Sequence, residues 1–279
     1  MRIIRVFPRR TKATPDDELA FVGDPPLLRP EADEVHVSCT FTWDLPEAIR
    51  LVLAWTRYYP TKLGGPACGS MPCEFTPGRY LRPGCVITTR GCPNHCDYCF
   101  VPQREGPLRE LTIRNGWNVL DNNLLAASRT HIEAVLHMLA KQKERAMFTG
   151  GLEAKRVQPW FAKALKEIRT RSAFLAYDRP SDRIPIKDAA KLLVPCFWKR
   201  RIGCYVLCGY MGDSIEDATE RCQYVQNLDM RAFPMYYRPA QKHLPPAKDW
   251  KKFLRSYNRG IPVKSPVNQR GSETAEFLL

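Results

Sequence analysis

Three cysteines fall within eight residues of this sequence: Cys92, Cys96 and Cys99, in the string RGCPNHCDYCFVP and with the spacing C-x3-C-x2-C. Thiolates are soft ligands, and a closed structural zinc or iron-sulfur site normally takes four protein ligands. Three on one short loop can hold three irons of a 4Fe-4S cluster and leave the fourth iron open to a substrate or cofactor. The same spacing can also bind zinc, with Cys85 or His95 as a fourth ligand.

The elements around the motif decide between these chemistries. Short apolar runs recur at 85–89, 117–120, 146–149, 173–177, 204–207 and 232–237, and most of the intervals carry a helical period. Within 129–142, Ile132, Val135, Leu136 and Leu139 follow i, i+3, i+4, i+7, one buried helix stripe. Further helices are expected at 158–168, 186–193 and 214–227, the last opened by Ser214 and Asp217 as a capping box. Strands apolar on both faces, alternating with helices, specify an α/β protein with a parallel sheet, and six such units would curl into a partial (β/α)6 TIM-like barrel. The cysteines follow the first strand, in a loop that Gly91, Pro93 and Asn94 allow to turn sharply. Sites in such folds lie at the C-terminal ends of the strands.

The 279 residues suffice for one sizeable core with appendages, and 43 Lys+Arg against 29 Asp+Glu leave a formal charge of +14, which favours anionic partners. The basic stretches RVFPRRTK, FWKRR and KDWKKFLR are dispersed, so weak, salt-sensitive and sequence-independent nucleic-acid binding is expected. Eleven cysteines, an odd number, and a start without a signal-like apolar run point to a reducing, cytoplasmic setting. No run is long and apolar enough for a membrane span.

The motif, Tyr98 just before its third cysteine, and the six β-α units together resemble the radical S-adenosylmethionine (radical SAM) superfamily over roughly 85–240. RGCPNHCDYCFVP is similar to the loop of radical SAM methylthiotransferases, and VLDNNLL to radical SAM proteins that carry a cobalamin-type domain. The resemblance implies that Cys92, Cys96 and Cys99 ligate one 4Fe-4S cluster and that the SAM amino and carboxylate groups chelate its open iron. Reductive cleavage of the sulfonium would then give a 5'-deoxyadenosyl radical that abstracts hydrogen from a substrate the sequence does not name. The electron would come from a donor such as flavodoxin or ferredoxin.

By the same resemblance the loop after the second strand holds the SAM amino group, often through Gly-Gly-Glu. That place is taken here by Asp121, Asn122 and Asn123, whose side-chain oxygens suit an ammonium and which could alternatively cap a helix. Gly150 and Gly151 in FTGGLEA compete for the role, although they are expected after the third strand with Glu153 displaced by one residue. Asp178 is placed to reach the SAM ribose or carboxylate, or to serve a turn before Arg179 and Pro180.

Three regions are expected: a small α/β region at 1–84, the radical SAM core at 85–240, and a helical segment with a flexible tail at 241–279. The first reads as one βαβ unit, with strands at 34–41 and 61–63 and a helix at 45–59. It resembles half of a cobalamin-binding domain but lacks D-x-H-x-x-G, so cobalamin is not expected; His36, inside a strand, reads as a packed histidine. Cys196, Cys204, Cys208 and Cys222 read as core residues, and the uneven spacing of Cys39, Cys68 and Cys73 does not match the methylthiotransferase second cluster. Two rival functions are an enzyme modifying RNA or another nucleic acid, suggested by the charge and the methylthiotransferase-like loop, and a non-catalytic, zinc-stabilised nucleic-acid-binding module.

Overall fold

The computed structural model describes residues 1–69, 74–197, 201–239 and 246–258. Its chain begins with β1 (Ile3–Phe7), β2 (Ala20–Val22) and β3 (Glu34–Ser38), passes through helix α1 (Leu45–Thr56) and completes a first sheet with β4 (Thr61–Gly64). The four strands are parallel in the order β2-β1-β3-β4. Sequence reasoning anticipates only β3, α1 and β4, because an arginine interrupts the apolar run of β1. Arg5 is accommodated inside that buried strand by donating to the carbonyls of Gly78 (3.2 Å) and Arg79 (3.1 Å) and pairing with Asp17, as a buried charge requires. On the other face α1 lays Ala48, Leu51 and Trp55 against Ile4, Val6, Val35 and Val37, a small core of its own. His36 bonds Tyr80 (2.5 Å) and Glu34 (2.7 Å) on the face shared with Arg5.

The larger sheet begins with β5 (Cys85–Val86). An antiparallel ribbon, β6 (Thr89–Arg90) with β7 (Arg109–Glu110), then brackets the cysteine loop and the short helix α2 (Val101–Glu105). There follow β8 (Asn118–Val119), α3 (Arg129–Ala140), β9 (Met147–Leu152), α4 (Pro159–Glu167), β10 (Ser172–Tyr177), α5 (Arg183–Leu193), β11 (Ile202–Cys208), α6 (Ile215–Asn227), β12 (Arg231–Tyr236) and α7 (Lys248–Asn258). Each of the six parallel strands pairs with its neighbour in sequence, in the order β12-β11-β10-β9-β8-β5. The chain is therefore an α/β protein in which helices alternate with parallel strands. Ser214 and Asp217 form the expected capping box at α6, each accepting the other's backbone N–H at 3.1 Å.

Two boundaries differ from expectation. The strand expected at 85–89 divides, because Thr89 leaves the sheet to pair with Glu110 in the ribbon. The strand expected to end at 149 runs on to Leu152, so Gly150 and Gly151 lie inside β9 and not in a loop after it. The cause is a bulge: Phe148 faces Ala173 and Leu152 faces Leu175, which gives β9 two extra residues. Glycine is required there because a Cβ on Gly150 would sit 2.2 Å from the Asp121 carbonyl oxygen, and Gly151 has φ +93°.

One face of the six strands, including Val86, Val119, Phe148, Leu175, Cys204 and Val206, meets the apolar stripes of the helices in the main core. Cys204, Cys208 and Cys222 are fully buried there. Burial pushes the Cys204 and Cys222 thiols far up and that of Cys208 to about 12, the behaviour of core cysteines. On the opposite face Phe174 stacks on Tyr205 (4.7 Å between ring centres), with Gly203 leaving room for the Phe174 ring. No helix among the described residues is long and apolar enough to cross a membrane.

Gly150→Ala must push the Leu120–Asp121 backbone, just beyond β8, away from the bulge. It is expected to cost roughly 1–3 kcal/mol, read as a lowered midpoint in urea unfolding.

Candidate metal and cofactor site

The cysteine loop leaves and re-enters the fold at one point. Thr89 pairs with Glu110 and Arg90 with Arg109, the Leu111 N–H donates to the Thr88 carbonyl (2.8 Å), and the Cys92 N–H donates to the Gly106 carbonyl (3.3 Å). Gly91, at φ +78°, packs so tightly that a Cβ would lie 2.2 Å from the Pro107 oxygen. Within the loop the Cys99 N–H closes a turn on the Cys96 carbonyl (3.0 Å), and all three cysteines are half-buried. Burial raises the Cys99 pKa, and the neighbouring Cys96 and Cys92 raise it further, so the three sulfurs feel one another. Among the described residues no three His, Cys, Asp or Glu side chains converge as a metal-binding group. Joint ligation therefore needs the cysteine side chains to turn inward, as expected where the metal itself completes its site.

The three residues after β8 do different things. Asp121, 1% exposed, accepts from the backbone N–H of Thr88 (2.6 Å) and from its hydroxyl, tying the end of β8 to the segment leading into the ribbon. Burial raises its pKa against those hydrogen bonds. Asn122 donates to Glu105 Oε2 (2.6 Å). Asn123 donates through Nδ2 to Glu153 Oε2 (2.7 Å), and the same nitrogen lies 3.5 Å from Cys92 Sγ. Its Oδ1 is buried without a hydrogen-bond partner.

Because β9 extends to Leu152, Glu153 is the first residue beyond the strand. Burial would raise its pKa, but hydrogen bonds from Asn123, Lys155, Asn94 and Arg156 outweigh this and hold it at about 2. The Lys155 and Arg156 contacts measure 2.7 and 2.6 Å. The loop after β8 and the Gly150–Gly151 string, expected as competitors, thus meet at one point beside Cys92.

A second set of contacts carries the loop across the strand ends. The Tyr98 hydroxyl donates to Asp178 Oδ2 (3.1 Å) just beyond β10, while Arg179 pairs with Asp97 and lies over the Tyr98 ring (5.3 Å). Tyr98 meets Tyr210 beyond β11 (5.7 Å), which meets Tyr237 beyond β12 (4.7 Å). Arg238 covers Trp43 of the first sheet's β3–α1 connection (4.6 Å). Burial raises the Tyr98 phenol pKa, with Asp178 adding to the effect, and burial raises Asp178 to about 6 despite the Tyr98 hydrogen bond.

Sequence reasoning missed Glu105, Asn94 and Tyr210, and set Glu153 aside for its spacing. The strand-glycine-glycine-acid order around Gly150 was the available signal for Glu153; Glu105 had none beyond being the sole acid in FVPQREG. Of the remaining cysteines, burial pushes Cys39 to about 12 beside Cys68, and Cys73 lies outside the described residues. Most of FWKRR and the tail after Asn258 also lie outside them, whereas Lys248, Lys251, Lys252 and Arg255 of α7 are exposed. A cavity of about 550 Å³ opens between the start of β1 and residues 77–79 and takes no residue from the cysteine loop. Comparison of the chain with known protein families gives no match, and comparison with curated proteins gives none either.

The Asp178 shift has a consequence for stability. A carboxyl whose folded pKa is about 6, against a reference of 3.8, holds its proton more tightly in the folded state. Its contribution is complete below the lower value and is lost as pH rises through the upper one. Asp178→Asn keeps an acceptor for Tyr98 without the charge. Relative to wild type it should therefore gain roughly 1–3 kcal/mol as pH rises from about 4 to about 7, measured by urea unfolding at each pH. An unchanged difference across that range would assign the contact no linkage.

Proposed function

We propose that this chain is a radical SAM enzyme in which Cys92, Cys96 and Cys99 hold one 4Fe-4S cluster beside a SAM site. The observation that carries the reading is the meeting of Cys92, Asn123 and Glu153, which follow β6, β8 and β9 and are joined by the Asn123 amide. Three thiols on a closed loop, whose one intervening carboxylate, Asp97, is engaged by Arg179, suit iron, and the Cys85 thiol is buried against Asn118, away from the role of a fourth zinc ligand. The bound cluster and SAM supply one-electron cleavage and hydrogen-atom abstraction; the protein supplies binding and orientation.

Asn123 Oδ1, which has no partner, and the Glu153 carboxylate are two acceptors suited to the SAM amino group. Asn122 and Asp121 position that turn from behind, Gly150 lets the turn after β8 approach β9 while Gly151 takes the positive φ of the bulge, and the Asp178–Tyr98 contact fixes the far side of the loop. The same reading carries a partial barrel, in which the six parallel strands curl and the loop that follows β5 lies across their C-terminal ends toward β10. The substrate is undefined, a flavodoxin- or ferredoxin-like donor would supply the electron, and no cobalamin is invoked. Exposed α7 lysines support diffuse, salt-sensitive attraction to nucleic acid as an accessory property.

Anaerobic reconstitution tests the reading. About four irons per chain are expected, with nearly all lost in the triple Cys→Ala variant. The reduced protein should slowly cleave SAM to methionine and 5'-deoxyadenosine without substrate. Asn123→Ala and Glu153→Ala should each weaken SAM binding roughly 10- to 100-fold, as loss of a hydrogen bond to a charged group does. A colourless zinc protein, or full iron retention by the triple variant, would overturn the proposal.

A further inference from the structure

Glu105 is a nearly buried carboxylate, its side chain 4% exposed, on the C-terminal residue of α2. It stands where the two halves of the proposed site come closest behind the cysteines. Its Oε2 accepts from Asn122 Nδ2 (2.6 Å) and from the backbone N–H of Gly91 (3.4 Å). Its Oε1 faces Arg90 Nη1 (3.4 Å) and Arg104 Nη2 (3.7 Å), and its own carbonyl accepts from Arg109 Nη1 (2.7 Å).

The neighbours of these partners matter. Gly91 precedes Cys92, Asn122 precedes Asn123, and the Asn123 amide lies 3.5 Å from the Cys92 sulfur. One carboxylate oxygen therefore closes a ring that runs through the root of the cysteine loop, across the Cys92–Asn123 contact, and back through the turn after β8. We infer that Glu105 is a positioning residue, which sets the distance between the cysteine loop and the SAM-binding turn and places a fixed negative charge behind them. The inference rests on the radical SAM reading of that site.

A carboxylate is the group this position needs. Arg90 and Arg104 both lean on it and leave their Nε atoms buried without partners, so a neutral residue would leave two guanidinium groups facing each other. Residues that hold ligands in place from behind typically change affinity or activity about 10- to 100-fold when altered. A residue that only stabilised the fold would act on every property of the chain alike.

The test compares the reconstituted full chain as wild type, Glu105→Gln and Asn122→Ala. Iron content and SAM cleavage by the wild type test the radical SAM reading separately. Glu105→Gln should retain its iron, raise KM for SAM roughly 10- to 100-fold with a smaller change in kcat, and move the cluster midpoint potential positive, because a fixed negative charge is lost. Asn122→Ala should reproduce the KM rise and leave the potential unmoved, since it removes the contact and keeps the charge. Hydrogen exchange on the unloaded chain gives a readout that needs no cluster: Glu105→Gln should speed exchange at residues 91–92 and 122–123 together and leave α3 to α6 unchanged. Wild-type KM in Asn122→Ala, or uniform acceleration of exchange throughout the chain, would overturn the inference. If Glu105→Gln cannot be loaded, the KM of Asn122→Ala and the exchange pattern decide the matter.

Discussion

The cysteine loop enters and leaves through one narrow gap, where Gly91 lies against the carbonyls of Gly106 and Pro107. Everything the site can do depends on that closure. Three cysteines on a free segment would sample widely separated positions, and bringing them together costs conformational entropy. Closing the loop on a two-strand ribbon, with Cys92 donating to Gly106, limits how far they can separate before any metal is present. The same closure aims the loop across the strand ends, where Tyr98 can reach Asp178 and Tyr210. A side chain at Gly91 would open the gap and release both effects together.

Around this loop, four acidic side chains occupy very different environments in a chain of formal charge +14. Asp121 is buried on Thr88 and ties strand to ribbon. Asp178 is raised by burial and held by a phenol. Glu153 is kept ionised by two basic side chains and two amides. Glu105 is gripped by backbone, amide and guanidinium donors. Glu153 stands with the unsatisfied oxygen of Asn123 beside Cys92, whereas the other three tie segments of the frame to one another. Three of the four follow strand ends, and Glu105 ends the short helix inside the loop.

Much of the frame was legible in the sequence because it obeys local rules. Ile132, Val135, Leu136 and Leu139 mark α3 by period alone, and Ser214 with Asp217 marks the start of α6 by capping chemistry. What was not legible depended on non-local contacts. β1 was hidden because Arg5 looks exposed until Asp17 and the carbonyls of residues 78 and 79 reach it. The true end of β9 was hidden because a bulge of two glycines reads as a turn. That error separated Glu153 from Asn123, although they are bonded; no one-dimensional spacing reports a contact across 30 residues. Glu105 carried no motif and became visible only through its partners.

The most direct measurement is electron paramagnetic resonance of the anaerobically reduced protein, with and without SAM labelled in its amino and carboxylate groups. The expected result is the signal of one reduced 4Fe-4S cluster whose shape changes when SAM is added and shows coupling to the labelled nitrogen and oxygen. A spectrum indifferent to SAM, or the absence of any iron signal, would contradict an open iron beside Cys92, Asn123 and Glu153.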